Sequence, residues 1–190
     1  MAGSRRGPKK RRRPRKASAA YLERVALWYL ERYAATSASL RRVLDRRVEK
    51  SVREHGTDRS EGRDLVQDII GRFERSGLLD DRRFAESRAR SLHERGISVR
   101  MIRSRLMAKG IAPDIIDDAL QSLGDDIGDL NMAAAVRYAR RRRLGVYRNP
   151  ESRAERREKD LAAMARAGFG YDTARRIVDA EDTDDVDGFV

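Results

Sequence analysis

Two adjacent carboxylates form the pair of side chains in this sequence that most resembles a catalytic constellation. Asp80 and Asp81 lie side by side in the stretch "GLLDDRRFAESRAR". Paired carboxylates can act as acid and base when a pocket separates their pKa values, but no pocket-forming pattern surrounds them. Asp80 stands where a helix needs an N-cap, and Asp81 falls in the first turn, where the helix dipole favours negative charge. The pair is therefore predicted to be structural.

Other residue types that carry enzymatic chemistry are scarce. The chain has no cysteine, and its two histidines, His55 and His93, lack any local metal-ligand spacing. It has neither a phosphate-binding GxxxxGK[ST] loop nor a GxSxG nucleophile elbow. We therefore expect no enzyme, no catalytic, cofactor-binding or metal-binding residue, no cofactor and no small-molecule substrate.

Positive charge is the strongest functional signal in the sequence. The formal net charge is +12, and the first sixteen residues contain nine Lys or Arg and no acid. The last twelve residues contain six acids and no base, so that the chain without these nine cations and six acids still carries +9. A basic surface of this kind is typical of proteins that bind nucleic acid or an acidic protein. Residues 1–17 and 181–190 are predicted to be disordered basic and acidic tails.

Three basic helices and the tail supply the candidate binding residues. Helix 98–109 has no acid of its own, so its cations are expected to be available to phosphates or to an acidic protein groove. A solvated face is the ordinary alternative for each run. The candidates for contact with DNA or with a protein–DNA filament are Arg100, Arg103, Arg105, Lys109, Arg137, Arg140, Arg141, Arg42, Arg46 and Lys50, with Lys9, Lys10, Arg11, Arg12 and Arg13 as tail contacts to DNA.

The elements that must hold these cations are all helices. Apolar residues recur with a helical period from residue 18 onward, and no stretch alternates with period two. The segments "LMAKGIAPDIIDDAL" (106–120) and "MARAGFGYDTARRIV" (164–178) share a glycine and a following aspartate. We predict an all-α fold of about nine helices in tandem three-helix repeats (18–77, 78–124 and 125–180). The repeats are expected to form an elongated, curved arrangement.

The turn at 107–112 also permits a helix-turn-helix interpretation. Its recognition helix would be 113–123, "PDIIDDALQSL", which carries acids and lacks the arginine, lysine or asparagine that reads base edges. The sequence therefore disfavours a transcription factor.

The stretch "SGLLDDRRFAESRARSLHERGISVRMIRSRLMAKGIAPDIIDDAL" (76–120) resembles the RecX family, bacterial regulators of the RecA recombinase. The segments "ALWYLERYAATSASLRRVL" (26–44) and "GFGYDTARRIV" (168–178) are similar to its first and last repeats. Tyr33 and Ser39 depart from the expected basic and acidic residues, the connection at 56–63 is longer, and the arginine-rich tail is additional. The resemblance implies a non-enzymatic protein that binds the RecA–DNA filament and modulates, most often inhibits, RecA in recombination, DNA repair and the SOS response.

Two functions from different classes remain open on the sequence. The first is a regulator that docks on a recombinase filament, with single-stranded DNA as a partner and double-stranded DNA as a further candidate. The second is a sequence-independent DNA-binding helical protein that acts through its basic surface and tail. In either case we expect a cytoplasmic monomer with no membrane contact, since charges interrupt every apolar run.

Overall fold

The computed structural model describes residues 15–190. The tail candidates Lys9, Lys10, Arg11, Arg12 and Arg13 lie outside the described residues. Within residues 15–190 all regular structure is helical, with ten α-helices and one short 3-10 turn at Gly145–Tyr147. The predicted all-α class is confirmed.

The helices follow one another with short connections. In chain order they are α1 (Ala19–Leu30), α2 (Ser37–His55), α3 (Arg59–Arg75), α4 (Asp81–Glu94), α5 (Val99–Ala108), α6 (Pro113–Ile127), α7 (Leu130–Arg142), α8 (Pro150–Arg166), α9 (Tyr171–Val178) and α10 (Asp184–Asp187).

Side-chain caps define where most of these helices begin. The Asp80 carboxylate accepts a hydrogen bond from the backbone N–H of Arg83 at 2.9 Å, and Ser98 caps α5 through Met101. Pro113 stands in the first turn of α6, where its missing N–H has no cost. The predicted structural role of Asp80 is therefore confirmed.

The first compact unit contains the described residues up to Ala35 and residues Ser39–Leu79. Its core is formed where α1, α2 and α3 pack their apolar faces together, with Leu22, Leu40, Leu44, Val66, Ile69 and Ile70 almost fully buried. Ahead of α1, the backbone N–H of Ala17 donates to the Ser51 hydroxyl at 2.7 Å, and Ala17 is buried. The prediction of a disordered tail through residue 17 is wrong at Ala17, because a long-range backbone hydrogen bond ties it to the core.

The second unit contains Thr36–Ala38 and Asp80–Val190. It holds two apolar cores, one from α4, α5 and α6 and one from α7, α8 and α9. Together with the first unit this gives three helix triplets, each with its own core, as the predicted tandem repeats require. Helix α6 continues past residue 124, and Gly128, with a φ of 81°, follows its last residue.

A repeated hydrogen bond supports the internal similarity of the second unit. The Ser98 hydroxyl donates to the carbonyl of Ala167 at 2.8 Å, and the Thr36 hydroxyl donates to the carbonyl of Lys109 at 2.7 Å. Each acceptor precedes a glycine with positive φ, 84° at Gly110 and 91° at Gly168. The aligned segments 106–120 and 164–178 therefore share backbone geometry as well as residues.

The last ten residues correct a second prediction. Residues 181–190 were expected to be a disordered acidic tail, but α10 forms there and Val186 is buried in the third core. Phe189 packs against the same core, with the Arg176 guanidinium 5.2 Å from its ring centroid. Two apolar side chains three residues apart are enough to dock this acidic segment. No helix among residues 15–190 is both long and apolar enough to cross a membrane.

Candidate nucleic-acid and partner interface

The cations of α5 and of its C-cap differ in their surroundings. Arg100, Arg105 and Lys109 are exposed, whereas Arg103 forms an ion pair with Asp117 of α6. The expectation that this helix offers only uncompensated cations is therefore wrong for Arg103. The acid lies on the next helix, across the turn, so the sequence of α5 alone does not reveal this ion pair.

Arg137 of α7 is half-buried and serves the packing of two helices. Its guanidinium lies 3.2 Å from Nδ1 of His93, whose Nε2 lies 2.9 Å from the carbonyl oxygen of Leu130. Because arginine can only donate, Nδ1 accepts and Nε2–H donates, which is the neutral form of the imidazole. Burial of the ring lowers the pKa of His93, in agreement with this neutral form.

Arg140 and Arg141 are exposed but partly engaged. Arg140 lies 2.7 Å from the carboxylate of Asp187, and this hydrogen bond raises the pKa of Arg140. The same carboxylate accepts from the Tyr147 hydroxyl, and burial together with that bond raises the pKa of Tyr147 to about 12. Arg141 donates to the carbonyl of Arg95. The docked acidic segment thus neutralises part of the cationic end of α7.

The candidates on α2 lie in the first unit. Arg42, Arg46 and Lys50 are all exposed and recur every four residues, which places them on one stripe of the helix. The Arg42 guanidinium is 3.2 Å from the Ser39 hydroxyl. This stripe is exposed to solvent. Exposure is expected both of a surface that binds a partner and of a surface that contacts only water.

Helix α6 carries acids that pair with the arginines of α4. Asp118 accepts from Arg82 at 2.5 Å and Asp126 accepts from Arg90 at 2.6 Å. An acidic helix would be repelled by DNA phosphates, which adds to the case against a recognition helix at 113–123. Nowhere in residues 15–190 do three His, Asp or Glu side chains gather where a metal ion could be held.

Sequence reasoning missed a basic groove in the second unit. The groove has a volume of about 290 Å³, and Arg105 of α5, Arg142 of α7 and Arg166 of α8 line it. Only Arg105 was among the candidates. No local signal marks Arg166, because the approach of α8 to α5 is a property of the fold.

A second missed surface lies at the end of α1. Leu27, Trp28 and Tyr33 are 41%, 51% and 53% exposed, whereas large apolar side chains of folded proteins are more often buried. The guanidinium of Arg32 sits 4.3 Å from the centroid of the Trp28 ring. We call these four residues the α1 aromatic patch.

Comparison with known protein families gives a match in the middle of the chain. Residues 80–120 match the family model described as "RecX, second three-helix domain". A protein named "Regulatory protein RecX" from Myxococcus xanthus (strain DK1622) is 42% identical over 176 residues, covering 92% of this chain and 91% of that protein. A protein of the same name from Agrobacterium fabrum (strain C58) is 35% identical over 100 residues, covering 53% of this chain and 51% of its own length.

A solved structure shares the fold. The crystal structure of a regulatory protein RecX superposes with a TM-score of 0.57 at 24% sequence identity, covering 85% of this chain and 72% of that one.

Proposed function

Because this chain belongs to the RecX family of regulatory proteins, we propose that it binds the filament that RecA forms on DNA and limits the activity of RecA in recombination and repair. The observation that carries this proposal is the 42% identity to a regulatory protein RecX over 92% of the chain. We further propose that the protein is a cytoplasmic monomer, and that it acts by binding the filament rather than by catalysing a reaction.

The exposed cations of the second unit support binding to an anionic filament. In the part of the chain that the structure describes, Arg100 and Arg105 have no acidic partner, while Arg82, Arg90 and Arg103 on the same helix triplet are all paired. Unpaired guanidinium groups keep their full capacity for bidentate hydrogen bonds to phosphate or carboxylate oxygens. We therefore place Arg100 and Arg105 ahead of Arg103 among the α5 residues that contact the filament.

The α1 aromatic patch favours a protein partner over DNA alone. Trp, Tyr and Arg are the residue types that most often dominate the binding energy of protein interfaces. A protein acting only through charge would not need Leu27 and Trp28 exposed to water next to Arg32. The patch thus supports docking on RecA rather than the alternative of a sequence-independent DNA-binding protein.

The proposal can be tested with RecA filaments on single-stranded DNA. The full chain should lower the DNA-dependent ATPase activity of RecA, and should sediment with filaments more than with bare DNA at the same salt concentration. Unchanged ATPase activity at equal concentrations of the two proteins would contradict the proposal. Equal sedimentation with bare DNA would favour the alternative.

Charge reversal locates the contact. The double variant Arg100→Glu, Arg105→Glu should weaken filament binding by about tenfold or more, because each reversal places like charges together at the interface. The matched control is Arg83→Glu, Arg88→Glu, which changes the charge equally at two exposed positions of α4. If both double variants bind filaments equally well, α5 is a solvated face.

A further inference from the structure

The basic groove combines an apolar floor with a cationic rim. Its floor is formed by Ile97, Met101, Tyr138, Ala163 and Ala167, and all of its lining lies in the second unit. Its rim is formed by the three arginines named above, each from a different helix. No carboxylate is among the lining residues. The groove therefore presents a small hydrophobic surface surrounded by positive charge.

The rim arginines are uncompensated, unlike several other arginines of the same unit. Within residues 15–190, Arg105, Arg142 and Arg166 form no ion pair, whereas Arg140, Arg148 and Arg157 of the same unit each hold a carboxylate. Arg142 and Arg166 end α7 and α8, where the helix dipole favours a cation. That preference explains an arginine at each helix end. It does not explain why both, with Arg105, line one apolar groove.

The floor is suited to an aliphatic or aromatic side chain rather than to a stacked base. Single-stranded nucleic acid is usually held by aromatic rings that expose a flat face. Tyr138, the only aromatic ring in the groove lining, is half-buried, packs 5.5 Å from the Phe169 ring centroid and has Arg141 5.8 Å from its own centroid. The remaining floor is aliphatic or thioether, which a buried apolar side chain complements.

The chain itself shows how its basic surface holds an acidic peptide. In residues 184–190, Val186 is buried, the Asp187 carboxylate binds Arg140, and Phe189 lies under Arg176. An acidic segment with apolar anchors is thus held by arginines around an apolar site. The basic groove offers the same combination without an occupant from residues 15–190.

We propose that the basic groove is a docking site for an acidic peptide segment of a partner protein, whose apolar side chain enters the floor while its carboxylates bind Arg105, Arg142 and Arg166. The site does not depend on DNA and extends the proposed function by a peptide partner. Guanidinium forks bind carboxylates bidentately, so that the rim supplies specificity for acids and the floor supplies specificity for the anchor.

A fluorescein-labelled peptide of the sequence Asp-Asp-Asp-Phe-Asp-Asp is a suitable probe, with a serine in place of the phenylalanine as its matched control. Binding to the full chain is measured by fluorescence anisotropy, with a labelled oligothymidylate as a second ligand. The phenylalanine peptide should bind about tenfold more tightly than the serine peptide, the value expected for burial of one large apolar side chain.

Two variants separate the rim from the floor. Arg142→Glu, Arg166→Glu should weaken binding of the phenylalanine peptide by about tenfold or more, while Arg24→Glu, Arg88→Glu should change it by less than about twofold. Ala163→Phe fills the groove without altering charge, and should weaken peptide binding while leaving oligothymidylate binding unchanged. Circular dichroism confirms folding of each variant.

Three results would overturn the proposal. The first is equal binding of the phenylalanine and serine peptides, which needs no variant and would reduce the groove to a charged surface. The second is undiminished peptide binding by Arg142→Glu, Arg166→Glu. The third is an equal loss of peptide and oligothymidylate binding in Ala163→Phe, which would identify the groove as a nucleic-acid site. None of these results bears on RecA filament binding, which is measured separately.

Discussion

The Ser98 hydroxyl accepts a hydrogen bond from the backbone N–H of Met101 at 3.4 Å and donates one to the carbonyl of Ala167 at 2.8 Å. One buried oxygen thus caps α5 and ties it to the end of α8 in the next helix triplet. The residue is fully buried, so that neither bond can be replaced by bulk water.

We expect Ser98→Ala to destabilise the protein by about 1–3 kcal/mol, since it removes a cap and leaves the Ala167 carbonyl without its donor. Urea unfolding followed by circular dichroism measures the change. Ser104→Ala, an exposed serine on the same helix, is the matched control and should change stability by less than about 0.5 kcal/mol. Equal effects of the two changes would mean that the bond to Ala167 contributes nothing.

Gly96 brings the turn after α4 into close contact with α7. Its φ is 67°, and a Cβ built there would lie 2.8 Å from the backbone nitrogen of Tyr138. Gly56, with a φ of 63°, has no atom within 4 Å of the corresponding position. Gly56→Ala should therefore cost about 1–2 kcal/mol from the left-handed backbone alone. Gly96→Ala should cost about 1–3 kcal/mol more, because the helices must move apart.

Both glycine variants carry the cost of a left-handed backbone. The difference between their melting temperatures therefore measures the cost of the contact between residue 96 and α7. Similar losses of stability at both positions would show that the turn and α7 can separate without cost.

The buried His93 should make stability sensitive to mild acid. Burial lowers the pKa of His93 below its unfolded value near 6.5, and the groups facing the ring are Arg137 and the Leu130 carbonyl from α7, with Glu94 and Arg90 from its own helix. As pH falls below about 6.5, the unfolded chain takes up a proton that the folded chain resists, so stability falls.

His93→Gln should flatten this dependence. The free energy of unfolding is measured in urea at about pH 7.5 and about pH 5.5, on either side of the unfolded pKa. The loss between the two pH values should be smaller in the variant. His55 is present in both proteins, and its contribution cancels in the comparison. Parallel losses in the two proteins would contradict the prediction.

Asp160 is a buried carboxylate that organises the turn before α8. It accepts from the backbone N–H of Gly145 at 2.9 Å and, with both oxygens, from the Arg148 guanidinium at 3.0 and 2.8 Å. Although burial opposes ionisation, these bonds hold the pKa of Asp160 below its usual value. Asp160→Ala should cost about 3–5 kcal/mol, because Arg148 loses its partner in a half-buried site.

The matched control for Asp160 is Glu155→Ala on the same helix. Glu155 is exposed and its nearest cation is 3.7 Å away, so the expected change is below about 0.5 kcal/mol. The free energy of unfolding of both variants is measured by chemical denaturation. A loss below about 1 kcal/mol for Asp160→Ala would show that the pair of Asp160 with Arg148 contributes little to stability.

Removal of residues 1–14 should separate DNA binding from folding. The packed core begins at Ala17, which the shortened chain keeps, so the melting curve should be unchanged. The dependence of DNA affinity on salt should become shallower, by about 0.9 in the log–log slope for every phosphate of duplex DNA that the segment neutralises in the full chain. An unchanged slope in a salt titration would mean that the segment does not touch DNA.

The helix pattern could be predicted from sequence because its causes are local. Asp80, Ser98 and Pro113 mark helix starts through interactions within four residues, and these predictions are confirmed. The docked end of the chain was missed because its causes are distant. Asp187 forms an ion pair with Arg140, which is 47 residues earlier in the chain. Val186 is surrounded in sequence by acids, so no apolar pattern near it predicts that it is buried.

The candidate site was predictable only as a set of basic helices. Which cations are compensated depends on neighbouring helices, as the pair of Arg103 with Asp117 shows. The convergence of Arg142 and Arg166 on one groove depends on how α7 and α8 pack. The composition gives the number of cations, whereas the packing of the helices determines which of them are free of ion pairs and can bind a partner.

The burial of Val186 and Phe189 has a consequence for the order in which the chain folds during synthesis. The first triplet has all of its core residues once Leu79 has been made, so it can fold while the ribosome is still translating the remainder. The third triplet lacks two of its packing residues until Val186 and Phe189 have been made. Its core therefore closes only after Phe189 has been made, and a chain that stopped before Val186 would leave that triplet incomplete.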